Sequence, residues 1–163
     1  MTPVILLECL KDFVENTTKN MKLQARVRGN NPEEQKEKRP EVFLMRLPNR
    51  EAKQTRVPYI LLQLLTGKDD QQERQPPEST AQVRVVACTY SEDESTGAMD
   101  VMNVILRLRS EFQKAGIIGE RFVLQHPLEY LIYPDDTAPY FFGEMILNFS
   151  IPTIKREVEE IWQ

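Results

Sequence analysis

Hydrophobic and polar positions follow two clear periods along this chain, and the two meet between residues 80 and 117. From Thr80 to Tyr90, Ala81, Val83, Val85 and Ala87 fall on one face while Gln82 and Arg84 fall on the other. A period of two marks a half-buried strand, and Val, Thr and Tyr suit a pleated surface. The period then lengthens. Met102, Ile105, Leu108 and Phe112, flanked by Ala98, Val101, Val104 and Ala115, recur at steps of three and four and lay an apolar stripe along a helix. Ser95 or Thr96 is placed to cap its first turn, and Gly116 to end it in the left-handed conformation. Glu92, Asp93, Glu94 and Asp100 gather at the positive end of the helix dipole, with Arg107, Arg109 and Lys114 toward the negative end.

The rest of the chain reads less sharply. After Thr2-Pro3, the stripe Leu6, Leu7, Leu10, Phe13 and Val14 predicts a helix ending near Thr17-Thr18. Lys22–Arg28 alternates, with Leu23, Ala25 and Val27 on one face, and Gly29–Pro32 stops it. Glu33–Pro40 is charged and reads as an exposed loop. Glu41–Leu47 alternates again, with Phe43, Met45 and Leu47 against Val42 and Leu44, and Pro48–Pro58 is a second polar loop. Tyr59–Thr66 is nearly unbroken in its apolarity, which predicts a strand covered on both faces. Gln71–Ser79 has the composition of a linker.

Arg121–Tyr133 predicts a long strand bent at His126-Pro127, because proline interrupts a ladder. Pro134–Pro139 turns the chain. Tyr140–Ile151 returns with Phe141, Met145, Leu147, Phe149 and Ile151 on one face and Glu144, Asn148 and Ser150 on the other. Thr153 is placed to cap a last helix bearing Ile154, Val158, Ile161 and Trp162. The order of elements predicts an α+β fold, a two-layer sandwich of helices on one face of a mostly antiparallel sheet. One domain over residues 1–163 is expected, with mobile loops near 29–41 and 69–79.

Composition narrows the picture. At 163 residues, 40% apolar and 28% charged, the chain is ordinary for a globular protein with one real core. The longest apolar runs, Tyr59–Leu65 and Leu128–Tyr133, are too short to span a bilayer. No basic segment precedes the first apolar residues, so no secretory signal is expected. Cys9 and Cys88 could form a disulfide or stay as two reduced, buried thiols; cytosolic use favours the second. Net charge is −4 but uneven. Residues 19–58 carry eleven bases and five acids, whereas residues 59–163 carry nine bases and seventeen acids. A basic arm on an acidic body suits nucleic acid and an acidic protein partner equally.

Candidate chemistry is thin. His126 is the one histidine, and no nucleophile or carboxylate motif accompanies it. The acidic run Glu92-Asp93-Glu94 lacks the alternating ligands and sixth-position glycine of an EF-hand, and helix capping accounts for it. Asp135-Asp136 between prolines is first of all a turn. Gly67-Lys68 has neither the second glycine nor the following Ser/Thr of a phosphate loop. An enzyme is the weakest reading, and no cofactor or metal is expected. The basic stretch holds one aromatic residue, Phe43, so a base-stacking platform is unsupported. Arg28, Lys36, Lys38, Arg39, Arg50, Lys53 and Arg56, with Asp135 and Asp136, are the candidate partner contacts.

The second half of the chain carries a more specific pattern. "VRVVACTYSEDESTGAMDVMNVILRLRSEFQKAG" is followed by "ERFVLQHPLEYLIYPDDTAPYFFGEMILNFSIPTIKRE", and both are preceded by "VPYILLQLLTG". Over Val57–Glu157 this resembles the tail terminator (tail completion) proteins of long-tailed bacteriophages and prophages. The matching features are the strand ending in Thr89-Tyr90-Ser91, the acidic entry to an amphipathic helix and the Gly116 stop. The long paired strands with Tyr140–Met145 and the Pro152 exit complete the pattern. The resemblance implies a small α/β subunit in a homo-oligomeric ring, a hexamer, on the head-proximal end of the tail tube. Its implied partners are the tail tube protein and the head connector or head completion protein. DNA would pass through without specific binding, and no membrane would be involved. The implied location is the virion tail, and the bacterial host cytoplasm during assembly. Two alternatives are another head–tail joining component and a nucleic-acid-binding module using residues 19–58.

Overall fold

The structure, a computed structural model, describes residues 2–26, 36–48, 57–134 and 137–157. The fold is α+β with a mostly antiparallel sheet. In chain order the elements are α1 (Pro3–Thr18), β1 (Leu23–Gln24), β2 (Glu37–Lys38), β3 (Glu41–Leu44), β4 (Tyr59–Asp70) and β5 (Glu78–Tyr90). Then come α2 (Glu94–Ala115), β6 (Ile117–Ile118), β7 (Phe122–Ile132) and β8 (Tyr140–Ile151). The six-stranded sheet runs β3-β4-β5-β8-β7-β6, and β1 and β2 form a separate two-stranded ribbon. Among the described strands, only the β3–β4 pair is parallel.

Both helices bury their stripes against one face of this sheet. Leu6, Leu10 and Val14 of α1, and Val101, Val104, Ile105, Leu108 and Phe112 of α2, share a core with Ile60, Leu62, Val83, Val85, Met145, Leu147 and Phe149. Phe13 and Phe112 stack at 4.8 Å and tie the helices together. The period-two faces of β5 and β8 are as the sequence predicts: Ala81, Val83, Val85 and Ala87 face inward, as do Met145, Leu147 and Phe149. A second, smaller cluster on the opposite face joins Val57, Tyr59 and Cys88 to Phe43, Leu47, Leu61 and Phe142.

Several expectations need correction. The stripe of α2 is centred on Val101 and Val104, and Met102 is only half-buried at its flank. Asp93, rather than Ser95 or Thr96, is the N-cap: its carboxylate accepts hydrogen bonds from the Ser95 amide and from the Ser95 and Thr96 hydroxyls. Those hydroxyl bonds hold its carboxyl below the usual range. Gly116 ends the helix as predicted, with φ 68° and its N–H donating to Phe112 O.

The linker expected at Gln71–Ser79 is smaller than its composition suggests. β4 runs on to Asp70 and β5 begins at Glu78, so only residues 71–77 turn the chain. The two arms project past the core, where ladder bonds and the Ser79–Asp69 side-chain hydrogen bond hold strands that bury no apolar face. For the same reason β4 is not covered on both faces along its length, and Leu65 is 46% exposed. β3 stops at Leu44 because Met45 takes φ 64°, a left-handed turn that exposes its side chain. Leu23 and Ala25 are buried as expected, but the strand there is two residues long and its partner lies at Glu37–Lys38, inside the expected loop. β7 is interrupted between Gln125 and Glu129, around His126-Pro127, as predicted. Thr153–Glu157 is not helical; Val158, Ile161 and Trp162 lie outside the described residues. Among those described, no helix is long and apolar enough to cross a membrane.

Candidate interaction surface

Cross-strand register determines what the helix-free face of the sheet presents. Residues that alternate with the core positions line up in rows across β4, β5, β8 and β7. One row is Gln63, Arg84, Ile146 and Glu129; the next includes Val86, Glu144 and Leu131. A third is Gln82, Asn148 and Gln125, where Gln82 donates to Asn148 at 3.4 Å and Asn148 donates to Pro127 O at 3.0 Å. The rows carry amides, hydroxyls and a few apolar side chains, with little net charge.

At the centre lies a connected polar group. Arg84 Nε donates to Glu144 Oε2 at 2.6 Å, Arg84 Nη2 to the Tyr133 hydroxyl at 2.9 Å, and Arg84 Nη1 to Gln63 Oε1 at 3.3 Å. Tyr133, just past the end of β7, in turn donates to Glu144 at 2.9 Å, which closes a triangle with β5 and β8. Burial pushes the guanidinium down, but the bonds to Glu144 and Tyr133 outweigh it and hold Arg84 above its ordinary value. Both partners keep some exposure, 32% and 22% of the side chain, so water screens the pair. Glu144→Gln keeps the volume and removes the charge. It is expected to cost roughly 1–2 kcal/mol, by stranding part of Arg84's hydrogen bonding. Urea unfolding checks this; an unchanged midpoint would show the triangle contributes nothing to stability.

Beside it, Leu128, Glu129, Tyr130, Leu131, Glu144 and Ile146 line an open hollow of about 520 Å³ along β7. Tyr130 and Leu131 are about half exposed there, and Arg109 of α2 sits 5.5 Å from the Tyr130 ring centre.

The sequence-derived partner contacts do not converge. Arg28, Arg50, Lys53, Arg56, Asp135 and Asp136 lie outside the described residues. Lys38 is paired with Glu41 at 3.3 Å. Arg39 is exposed beside a small hollow that it shares with Glu15 and Glu41. Lys36 lines a separate cleft of about 610 Å³ between the β1–β2 ribbon and the start of α2, together with Lys22, Glu37, Glu92 and Asp100. Burial raises the Asp100 carboxyl. Nearby, Arg26 Nη1 donates to the Tyr140 hydroxyl at 2.6 Å. Of the candidate contacts, Lys36, Lys38 and Arg39 thus fall in separate places, each with carboxylates nearby, and do not form one stripe.

The Arg84–Glu144–Tyr133–Gln63 group escaped the sequence reading. Arg84 and Glu144 both stand on the polar side of otherwise apolar strands, and that shared solitude was the available signal. Cys9 and Cys88 are both free, Cys88 buried and Cys9 half-buried. Among the described residues no cluster of His, Cys, Asp or Glu has the geometry of a metal site. No protein-family model matches this chain, and no curated protein sequence does.

Proposed function

We propose that this chain is a structural subunit that acts through protein–protein contact: a tail terminator of a long-tailed phage or prophage. In this reading, copies close into a ring on the head-proximal end of the tail tube, stop its growth and present a surface to the head connector. The observation that carries it is the sheet itself. One face is packed by helices; the other lines up in long rows that are mixed polar and apolar, close to neutral, beside a smaller apolar cluster. Among the described residues, both outer edges are only partly covered. A sheet with such edges is completed by neighbouring strands. Heterologous contacts between identical copies close into rings. The near-neutral face also suits a ring past which DNA slides without being gripped. The reading assigns the chain no reaction and no cofactor. It places the protein in the virion tail, and in the host cytoplasm during assembly.

A nucleic-acid-binding role for residues 19–58 is less favoured, because Lys38 is paired with Glu41 and the cleft at Lys36 holds more acids than bases. Light scattering with and without tail tubes, beside a duplex DNA titration at two salt concentrations, separates the readings. The chain is expected to assemble on meeting tube ends and to bind DNA weakly. A strict monomer that ignores tubes and binds DNA tightly, with affinity falling by a log–log slope of about −0.9 per phosphate contact, would overturn the proposal.

A further inference from the structure

The two partly covered edges fit one another. β3 pairs only with Tyr59–Leu62 of β4, and β6 only with Phe122–Val123 of β7. Among the described residues, no strand lies against the outer side of Thr66–Asp70 in β4 or of Leu128–Ile132 in β7. We propose that β4 of one copy adds to β7 of the next, with Gly67 opposite Tyr130 and Lys68 opposite Glu129. This rests on the ring reading above and specifies its subunit contact.

Four independent features converge on that register. The first is backbone direction. Tyr133 N–H donates to Phe142 O, so Tyr133, Leu131 and Glu129 turn their backbone groups toward β8, and Tyr130 and Ile132 turn theirs outward. On β4, Leu62 O and Leu64 N point outward to Met45. The register shift between Leu64 and Thr66 inserts one residue, which makes Gly67 and Asp69 the next outward positions. Gly67 against Tyr130 therefore matches outward groups with outward groups.

The second is the face. Lys68 pairs with Thr80 and Glu129 with Ile146, both on the helix-free side, so the two side chains meet on one surface. The third is charge. Slipping the register by two residues either way sets Lys68 against Leu131 or Pro127, and the central register alone sets it against a carboxylate. Lys68 is 73% exposed in the free subunit, where Asp70 at 3.5 Å is its partner. Gly67 has open space above it, with only Thr80 O within reach of an added Cβ, which leaves room for the half-exposed Tyr130 ring.

The fourth is closure. β4, β5, β8 and β7 alternate in direction, so an added β4 continues the antiparallel pattern and keeps every copy's helices on the same side. Within one copy, Gln63 of β4 is the residue level with Glu129. Placing the neighbour's Lys68 there, one bulge residue aside, shifts each copy by roughly 13 Å along the strands. Across a repeat of four strands, roughly 19 Å wide, this is a tilt of about 35°, at the edge of the range at which sheets close into barrels.

The test uses the full chain carrying Lys68→Cys and Glu129→Cys, assembled on tubes of tail tube protein and then oxidised. Directly opposed residues of such a pair are close enough for a disulfide. A ladder of covalently linked copies is expected on a denaturing gel, whereas either single variant, with no thiol opposite its own, stays monomeric there. In parallel, Lys68→Glu and Glu129→Lys should each weaken assembly roughly threefold to tenfold, and their combination should restore it. Circular dichroism of each variant confirms folding, as both positions lie at the surface. Rings that form on tubes without crosslinking, and that ignore the charge reversals, would overturn this edge contact and leave the ring reading intact. Failure to assemble on tubes at all would sink both.

Discussion

Leu108→Ala is expected to lower the free energy of unfolding by about 3 kcal/mol, within the span of roughly 2–5 for a buried leucine truncated to alanine. For a chain of this size that is a fall in Tm of about 6–12 °C. Leu108 is fully buried in the core that joins α1, α2 and the sheet. The neighbours that would have to collapse into the vacated space sit on two helices pinned by the Phe13–Phe112 stack. Met102→Ala is the useful contrast. Met102 is half-buried at the flank of the stripe, so its truncation is expected to cost about 1 kcal/mol or less. Calorimetry of the two variants checks the burial order along α2. Equal shifts would mean that the stripe is centred where the sequence alone placed it.

The second large effect is a loss of stability in alkali. Tyr59 and Cys88 face each other across β4 and β5 in the smaller cluster. Burial pushes the Cys88 thiol up to about 12 from an ordinary value of 9.0, and burial together with the neighbouring thiol raises the Tyr59 phenol as well. The sign follows from proton counting. Above pH 9 the unfolded thiol ionises while the folded one keeps its proton, so rising pH favours the unfolded chain. The stabilisation is fully present below pH 9 and is lost as pH climbs toward 12, with an upper bound of about 4 kcal/mol for the thiol alone. Urea midpoints measured from pH 8 to 11.5 should fall steeply in the wild type and more gently in Cys88→Ala. Parallel slopes would show that the pocket admits water and that burial does not control this thiol.

What could be read from the sequence depended on whether a residue's partner was the core or another polar strand. β5, α2 and β8 were legible because each presents one apolar face to one core, and burial imposes the period directly. The outer arms of β4 and β5 were not. Lys68, Asp69 and Asp70 pair with Thr80, Ser79 and Glu78 through backbone bonds, which leave no apolar trace. Met45 illustrates a different limit: alternation placed it in a strand, and a positive φ ended the strand one residue earlier. At the interaction surface, Arg84 and Glu144 were each correctly assigned to the polar side of their strands. Their pairing, with Tyr133 closing the triangle, depends on a register between segments some sixty residues apart, which no local pattern records.

The place of β8 has a consequence for how the chain reaches this shape. β8 lies at the middle of the sheet, between β5 and β7, although it is the last described strand in the chain. Its pairs with β5 run from Tyr90↔Tyr140 to Ser79↔Ile151, separations of 50 and 72 residues, with the whole of α2 inside every loop. The entropy of closing those loops must be met before the central ladder returns any hydrogen bonds. The β4–β5 hairpin and α2 are local and can form early. The β7–β8 hairpin is equally local, with Ile132 opposite Gly143, so the slow step of folding is the docking of β8 onto β5, and until then β5 and β8 each keep an open flank.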